Sequence, residues 1–202
     1  MREAAQRLAS AGVENAPRDA RLLLAHALGI EPVDVILRET DSIDIGALTD
    51  FEQAVQRRLR GEPVSRIRGW REFYGRRFTV TSDVLDPRPD TETLVDWALK
   101  VIAPLTDPLH PPRIVDLGTG SGAIALALQH QRPKAQVLAV DASSDALAVA
   151  QANAQRLALP VRFARGHWLD GVEGRFDAIV SNPPYIPASD PHLAALTHEP
   201  LQ

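Results

Sequence analysis

From residue 113 onward the chain alternates short apolar runs with amphipathic runs at the period of βα units, and this alternation constrains the fold more than any other feature. Strand patterns fall at 113–117, 136–141, 161–165 and 176–181, and helix patterns at 123–130 and 144–157. The alternation predicts an α/β domain built on a doubly wound parallel sheet. In such sheets ligands sit outside the carboxyl ends of the strands. Chemistry is therefore expected at four strand ends: residues 116–122, Asp141, residues 166–170 and residues 182–185.

Residues 1–61 carry a different pattern. Leu22, Leu23, Ala25, His26 and Ala27, and later Leu48, Phe51, Val55 and Leu59, recur at three- and four-residue spacing, which predicts a small helical domain. Pro17 suits a first helical position, Gly29 and Gly61 suit helix ends, and Asp44 or Thr49 suits a helix start. Phe73-Tyr74 and Phe78-Thr79-Val80, separated by Gly75-Arg76-Arg77, read as a β-hairpin. A proline-rich turn at 86–90 and a helix over 91–103 follow. The expected organisation is a helical domain at 1–69, a hairpin connector at 70–85 and a sheet domain at 86–202.

Composition narrows the chemistry. With 22 basic and 26 acidic side chains the formal net charge is −4, a poor match for a DNA-binding protein. The chain has no cysteine, which removes disulfides, thiolate nucleophiles and cysteine-held metal, and its six histidines lack metal-binding spacing; no metal is expected. It has neither a membrane-length apolar run nor the start of a signal peptide, so a cytoplasmic protein is expected. Eight arginines between Arg57 and Arg77, against Glu62 and Glu72, form a local basic stretch. It reads either as a solvated surface or as a docking face for an acidic protein or RNA.

The first strand end reads Asp116-Leu117-Gly118-Thr119-Gly120-Ser121-Gly122. Small residues between a strand and a helix let backbone N–H groups approach a ligand at a positive helix end. Asp141 ends the next strand, where a carboxylate can accept hydrogen bonds from a ribose diol. The loop by itself leaves NAD and other adenosine cofactors open, and a purely structural turn with Asp141 capping the next helix is the plain alternative.

The fourth strand ends in Asn182-Pro183-Pro184-Tyr185. Two consecutive prolines stop the ladder and leave carbonyls without intrachain donors. The Asn182 carboxamide oxygen beside such a carbonyl can hold both hydrogens of a planar –NH2 group, with Tyr185 as a flat face. Such a nitrogen is a poor nucleophile. It needs positioning and a strong electrophile, for which S-adenosyl-L-methionine (AdoMet) qualifies.

Together these residues resemble the HemK/PrmC family, the AdoMet-dependent N5-glutamine methyltransferases of bacterial peptide-chain release factors. The resemblance spans the chain: the helical N-terminal region, Pro63-Val64, Gly69-Trp70-Arg71-Glu72-Phe73, Pro87-Arg88-Pro89-Asp90-Thr91-Glu92, the glycine loop, and Ser181-Asn182-Pro183-Pro184-Tyr185-Ile186. It implies a Rossmann-like class I methyltransferase domain behind a substrate-docking helical domain, acting as a cytoplasmic monomer. By the resemblance, Gly118, Thr119, Gly120, Ser121 and Gly122 contact the methionine part of AdoMet, Asp141 the ribose and Trp168 the adenine. Asn182 touches cofactor and substrate, and Asn182, Pro183, Pro184 and Tyr185 hold the glutamine of the substrate's Gly-Gly-Gln (GGQ) loop. Asn182, Pro183 and Tyr185 are the catalytic set, and residues 88–92 border the pocket.

Three departures from the pattern stand out. His167 occupies the place of an acid beside Trp168, with Asp170 as a substitute. Asp86 stands where an apolar residue is usual. Only 17 residues follow Tyr185, where the family carries three more strands, so a chain incomplete at its C-terminal side is expected, with the fourth strand an apolar edge. The competing activities are glutamine methylation of a ribosomal protein, adenine-N6 methylation of a nucleic acid, or AdoMet binding without catalysis.

Overall fold

The computed structural model describes residues 1–38, 41–107 and 109–183. The chain divides into two compact units, with the boundary between Gly69 and Trp70.

The first unit is helical: α1 (Arg2–Ser10), α2 (Ala16–Leu28), α3 (Pro32–Leu37), α4 (Ile45–Leu59) and α5 (Val64–Arg68). Its core is Leu8, Leu23, Leu24, Phe51, Val55 and Ile67, contributed by α1, α2, α4 and α5. The start of α4 is set by Asp44, which accepts from the Ala47 N–H at 3.0 Å. Thr49, the other candidate cap, lies inside the helix and donates to the Ile45 carbonyl. Gly29 closes α2 in the left-handed conformation, which costs glycine nothing. The sequence pattern missed α5, a five-residue helix too short to show periodicity, and it included Leu48, which is exposed. Arg7 of α1 grips Glu52 of α4 with two hydrogen bonds and holds its carboxyl down to about 2.

The arginine stretch is largely committed within each unit. Arg57 bonds Glu62, Arg58 bonds Asp19, Arg71 faces Asp86 at 3.6 Å, and the Arg77 guanidinium lies over the Trp70 ring. Pairing of this kind neutralises much of the local charge and uses the arginines as struts.

The second unit opens with a hairpin, β1 (Trp70–Phe73) and β2 (Arg76–Thr79). Arg76 and Arg77 belong to β2, and the turn is Tyr74-Gly75 alone, with φ of 49° and 70°. A two-residue turn with both φ positive matches the twist of the strands it joins. Tyr74 tolerates its conformation because α6 (Glu92–Ile102) holds it: its N–H donates to Glu92 and its hydroxyl to Asp96. Phe73 and Phe78, both fully buried, meet edge to face at 6.1 Å.

The sheet follows, with β3 (Arg113–Leu117), α7 (Ala123–Gln131), β4 (Gln136–Asp141), α8 (Ser144–Leu157), β5 (Arg162–Arg165) and β6 (Ala178–Ser181). All four strands are parallel, in the order β5-β4-β3-β6. The walk from β3 to β4 to β5 runs in one direction, so right-handed crossovers place α7 and α8 on the same face, where α6 joins them. The chain then reverses, and the β5–β6 connection crosses the other face on its way to β6, so the sheet is wound on both faces although the described helices lie on one. The opposite face is covered by Val172 and Phe176 from the β5–β6 connection, which packs on Val115, Leu117 and Val140. β6 pairs with β3 alone among the described residues, and its Ile179 is 56% exposed.

Truncating Phe78 to Ala removes a ring from the centre of the core and is expected to cost about 3–5 kcal/mol in urea unfolding. Ile179→Ala, at the open edge, is expected to cost under about 1 kcal/mol in the same measurement.

Candidate active site

Because the strands are parallel, all four carboxyl ends lie along one edge of the sheet. The order places the β5 end (Gly166 to Asp170), Asp141, the glycine loop and Asn182 side by side. Three strand spacings, about 14 Å, separate the outer two. The sheet reverses direction between β3 and β6, so the glycine loop and Asn182 flank the topological switch point.

The glycine loop is hung on the neighbouring strand. The N–H groups of Gly118 and Thr119 both donate to the Val140 carbonyl, at 2.9 and 3.0 Å. Gly118, Gly120 and Gly122 all have positive φ. Gly122 also needs its lack of a side chain, since a Cβ there meets Ala150 and Leu126 at 3.1 Å. Gly118 and Gly120 face open space instead. That leaves room beside the backbone for a ligand.

Two carboxylates support the loop from below. Asp141 accepts from Gly120 N–H at 2.8 Å through one oxygen and from Ser143 N–H at 2.9 Å through the other. Each oxygen keeps a second lone pair for an outside donor. Helix α8 is capped by Ser143, whose hydroxyl accepts from Ala146 N–H, so Asp141 is not the cap.

Asp116 is fully buried. One oxygen accepts from the Thr119 hydroxyl at 2.7 Å and from Ala125 N–H at 3.2 Å, standing in for the capping side chain that Gly122 lacks at the start of α7. Its other oxygen is buried without a partner. Burial raises this carboxyl to about 6, against the opposing pull of its two hydrogen bonds and with a further push from Asp141.

At the β5 end, Gly166 N–H donates to the Asp141 carbonyl, joining this corner to the end of β4. Gly166 is irreplaceable for close approach, because a Cβ would stand 2.8 Å from the Asp170 carbonyl. The turn it allows leaves Trp168 at a φ of 54° and about half exposed, its ring edge-on to His167. A left-handed tryptophan presented to solvent is strained backbone of the kind that gathers at binding sites. Asp170 is bound into the turn through its N–H to the His167 carbonyl.

At the β6 end, the Ser181 hydroxyl donates to the Leu117 carbonyl at 2.8 Å, fixing Asn182 beside the start of the glycine loop. The Asn182 amide donates to the Thr91 hydroxyl at 3.3 Å. Thr91 belongs to the 3-10 turn Pro89–Thr91, so the Arg88 to Glu92 segment does border Asn182. Asp86, just ahead of it, is buried opposite Arg71. Pro183 is half-buried, while Pro184 and Tyr185 lie outside the described residues. His110 is exposed beside Asp107, and His130 lies against Arg76, away from this edge. Among the described residues no group of three or more acidic or histidine side chains is placed to hold a metal, and no helix is long and apolar enough to cross a membrane.

The PrmC N-terminal domain model matches residues 1–69, and the methyltransferase small domain model matches residues 91–198. The release factor glutamine methyltransferase of Cereibacter sphaeroides is 45% identical over 201 residues, covering 98% of this chain and 69% of that protein. The chain belongs to the release factor glutamine methyltransferase family. The Rhodospirillum rubrum member is 47% identical over 96% of this chain and 58% of that protein, and the Burkholderia pseudomallei member is 45% identical over 87% and 63%. The chain thus spans 58–69% of the length of these curated relatives. Among solved structures, the N-terminal domain of human METTL16 in complex with SAH superposes with a TM-score of 0.45 at 19% identity, covering 57% of this chain and 49% of that one.

Thr91 falls within the 88–92 segment that the resemblance puts at the border of the pocket. Asn153 escaped the sequence pattern: it is a fully buried polar side chain on the apolar stripe of α8 with Ala146, Ala150 and Ala154.

The Asp116 carboxyl sets a pH dependence of stability. Its folded value, about 6, lies above the unfolded value near 3.8, so the folded state keeps a proton that the unfolded state has lost in between. Stability from this group is full below about pH 4 and falls as pH rises toward 6, by about 3 kcal/mol in all. In urea unfolding from pH 4 to 7, Asp116→Asn is expected to lose this downward slope relative to the parent chain. Parallel curves would show that Asp116 is ionised throughout.

Proposed function

We propose that this chain transfers the methyl group of AdoMet to the side-chain amide nitrogen (N5) of the glutamine in the GGQ motif of peptide-chain release factors. The observation that carries the reading is the position of Asn182 at the switch point, tied through Ser181 to the end of β3, where the glycine loop begins. The family membership supports it.

The residues fit the cofactor. Gly118 and Gly120 leave open space along the loop, Asp141 keeps an unused lone pair on each oxygen, and Trp168 offers an exposed face at the far end of the same edge. The loop amides lead into the N-terminus of α7, whose positive end favours a carboxylate. AdoMet, when bound, supplies a methyl group activated by a sulfonium.

The remaining work falls to the chain. A glutamine amide nitrogen shares its lone pair with its carbonyl, so it attacks only when both hydrogens are held and the nitrogen is aimed. The Asn182 carboxamide oxygen is available for this, because the Thr91 hydroxyl already takes the amide side. The Pro183 carbonyl is the second acceptor, and the aromatic ring of Tyr185 is the flat partner that the Asn-Pro-Pro-Tyr sequence supplies for a planar amide. Transfer would form the N–CH3 bond as the sulfonium S–CH3 bond breaks, its electron pair staying on sulfur as a neutral thioether, and would release one amide proton to water, which no strong base needs to collect beforehand. The helical unit serves as the docking domain for the release factor, and the chain acts in the cytoplasm as a monomer without a DNA or membrane partner.

Calorimetric titration of AdoMet into the chain, followed by methyl transfer to a GGQ domain of a release factor, tests the reading. Saturable binding and mass addition on the glutamine are expected. Asn182→Ala is expected to keep the fold and lower transfer by about 100-fold or more. A chain that binds AdoMet yet modifies some other acceptor and not the GGQ glutamine overturns the substrate assignment.

A further inference from the structure

Asn153 makes four polar contacts with other residues, and the reaction as described does not use it. It lies in the middle of α8 with no exposed surface. Its Oδ1 accepts the Thr79 N–H at 2.8 Å and a contact from Arg156 Nη2 at 3.3 Å. Its Nδ2 donates to the Thr79 carbonyl at 3.1 Å and to the Ser121 carbonyl at 3.0 Å. The orientation of the amide is fixed by its partners: a backbone N–H can face only the oxygen, and two carbonyls can face only the NH2. All four capacities are filled.

These bonds join segments far apart in sequence. Toward Thr79, Asn153 behaves like a neighbouring strand, taking both the N–H and the C=O of one residue at the end of β2. Toward Ser121 it holds the last carbonyl of the glycine loop before Gly122. From Thr79 the chain continues through Val80 and Val84, which pack on Ala146 of the same helix, to the turn whose Thr91 meets Asn182. The glycine loop and the segment leading to Asn182 are thus referred to one buried amide.

We infer that Asn153 is a positioning residue for methyl transfer, setting the glycine loop relative to the β2 end and the Asn182-side segment. The inference rests on the proposed function for its consequence and on geometry alone for its mechanism. Its arrangement is not a stability device only. A purely structural tie needs no contact with the one loop whose exposed backbone faces the ligand edge, and burying an amide for packing is poorer than burying a leucine unless every bond is made.

The test compares Asn153→Asp with the parent by hydrogen exchange and by AdoMet titration. Asp keeps the shape and the bond from Thr79 N–H but turns an acceptor toward the Thr79 and Ser121 carbonyls. Exchange of the amides in residues 118–122 is expected to quicken by about tenfold without ligand, and the AdoMet Kd to rise by about tenfold. Leu157→Ala, on the same helix but packed on the hydrophobic core away from the loop, provides a control of comparable destabilisation. It is expected to change stability while leaving loop exchange and Kd near parental values after correction for global unfolding. Asn153→Ala, which adds no charge, is read in the same way should Asp prevent folding. Loop exchange in the Asn153 variants indistinguishable from that in Leu157→Ala overturns the inference. If the parent binds no AdoMet, the functional reading fails, while the ligand-free exchange still decides the role of Asn153.

Discussion

The carbonyl of Val140 accepts two N–H groups, from Gly118 and Thr119, and the working edge of the sheet depends on that fork. A strand that ends in a loop ordinarily leaves its last carbonyls to water. Here the β4 end satisfies the β3 loop, so the turn out of β3 is drawn sideways across its neighbour before entering α7. This displacement brings Gly120 over Asp141, whose carboxylate takes its N–H. It also puts Gly122 against Ala150, where an added Cβ would stand a tight 3.1 Å from that side chain. Each glycine then has its own reason. Gly118 and Gly120 serve the left-handed conformation and the open side, and Gly122 serves the close approach of α7 to α8.

Hanging a loop in this way gathers negative charge beneath it. Asp116 and Asp141 sit under the same few backbone amides, and the chain divides the work between them. Asp141 reaches the loop and the start of α8 with one hydrogen bond per oxygen. Asp116 is deeper, has one bare oxygen and feels its neighbour, so its carboxyl is pushed up to about 6. Their different hydrogen bonding follows position on the sheet: Asp141 is the last residue of its strand, while Asp116 is one residue inside its own. The cost of the buried acid is offset by what its bonded oxygen holds, the Thr119 side chain and the first turn of α7, which a glycine N-cap leaves unsupported.

Much of this was legible in the residues, because parallel strands broadcast themselves. The runs at 113–117 and 136–141 match their strands to the residue, being mostly apolar and ended by glycine or acid, while the two outer strands are shorter than their patterns. Val161, and Phe176 with Asp177, look like strand but lie past the ladder, where residues pack or bond without pairing; Asp177 instead receives the Arg113 N–H. The hairpin was placed correctly but its turn was not. Arginines read as loop residues, yet a two-residue turn pulled both into β2, and Tyr74 accepted a left-handed backbone because α6 supplies carboxylates for its N–H and hydroxyl. That compensation comes from about twenty residues downstream, beyond the reach of local pattern.

The polar members of the site divide along the same line. Gly118 to Gly122, Asp141 and Asn182 sit at strand ends, and strand ends can be counted out from periodicity. Thr91 and Asn153 do not sit at strand ends, and what they do depends on segments 91 and 74 residues away. In Asn153 the local trace is a carboxamide on a helix stripe otherwise made of alanines and Leu147. An amide at such a position is unfavourable unless both its donors and its oxygen find partners. In a helix that packs behind a glycine loop, the partners nearest at hand are the backbone groups that the loop and an adjacent strand end leave unpaired. A buried asparagine on the helix after the acid that ends β4 therefore points back to the loop, and the reason is the unpaired backbone that any glycine turn creates.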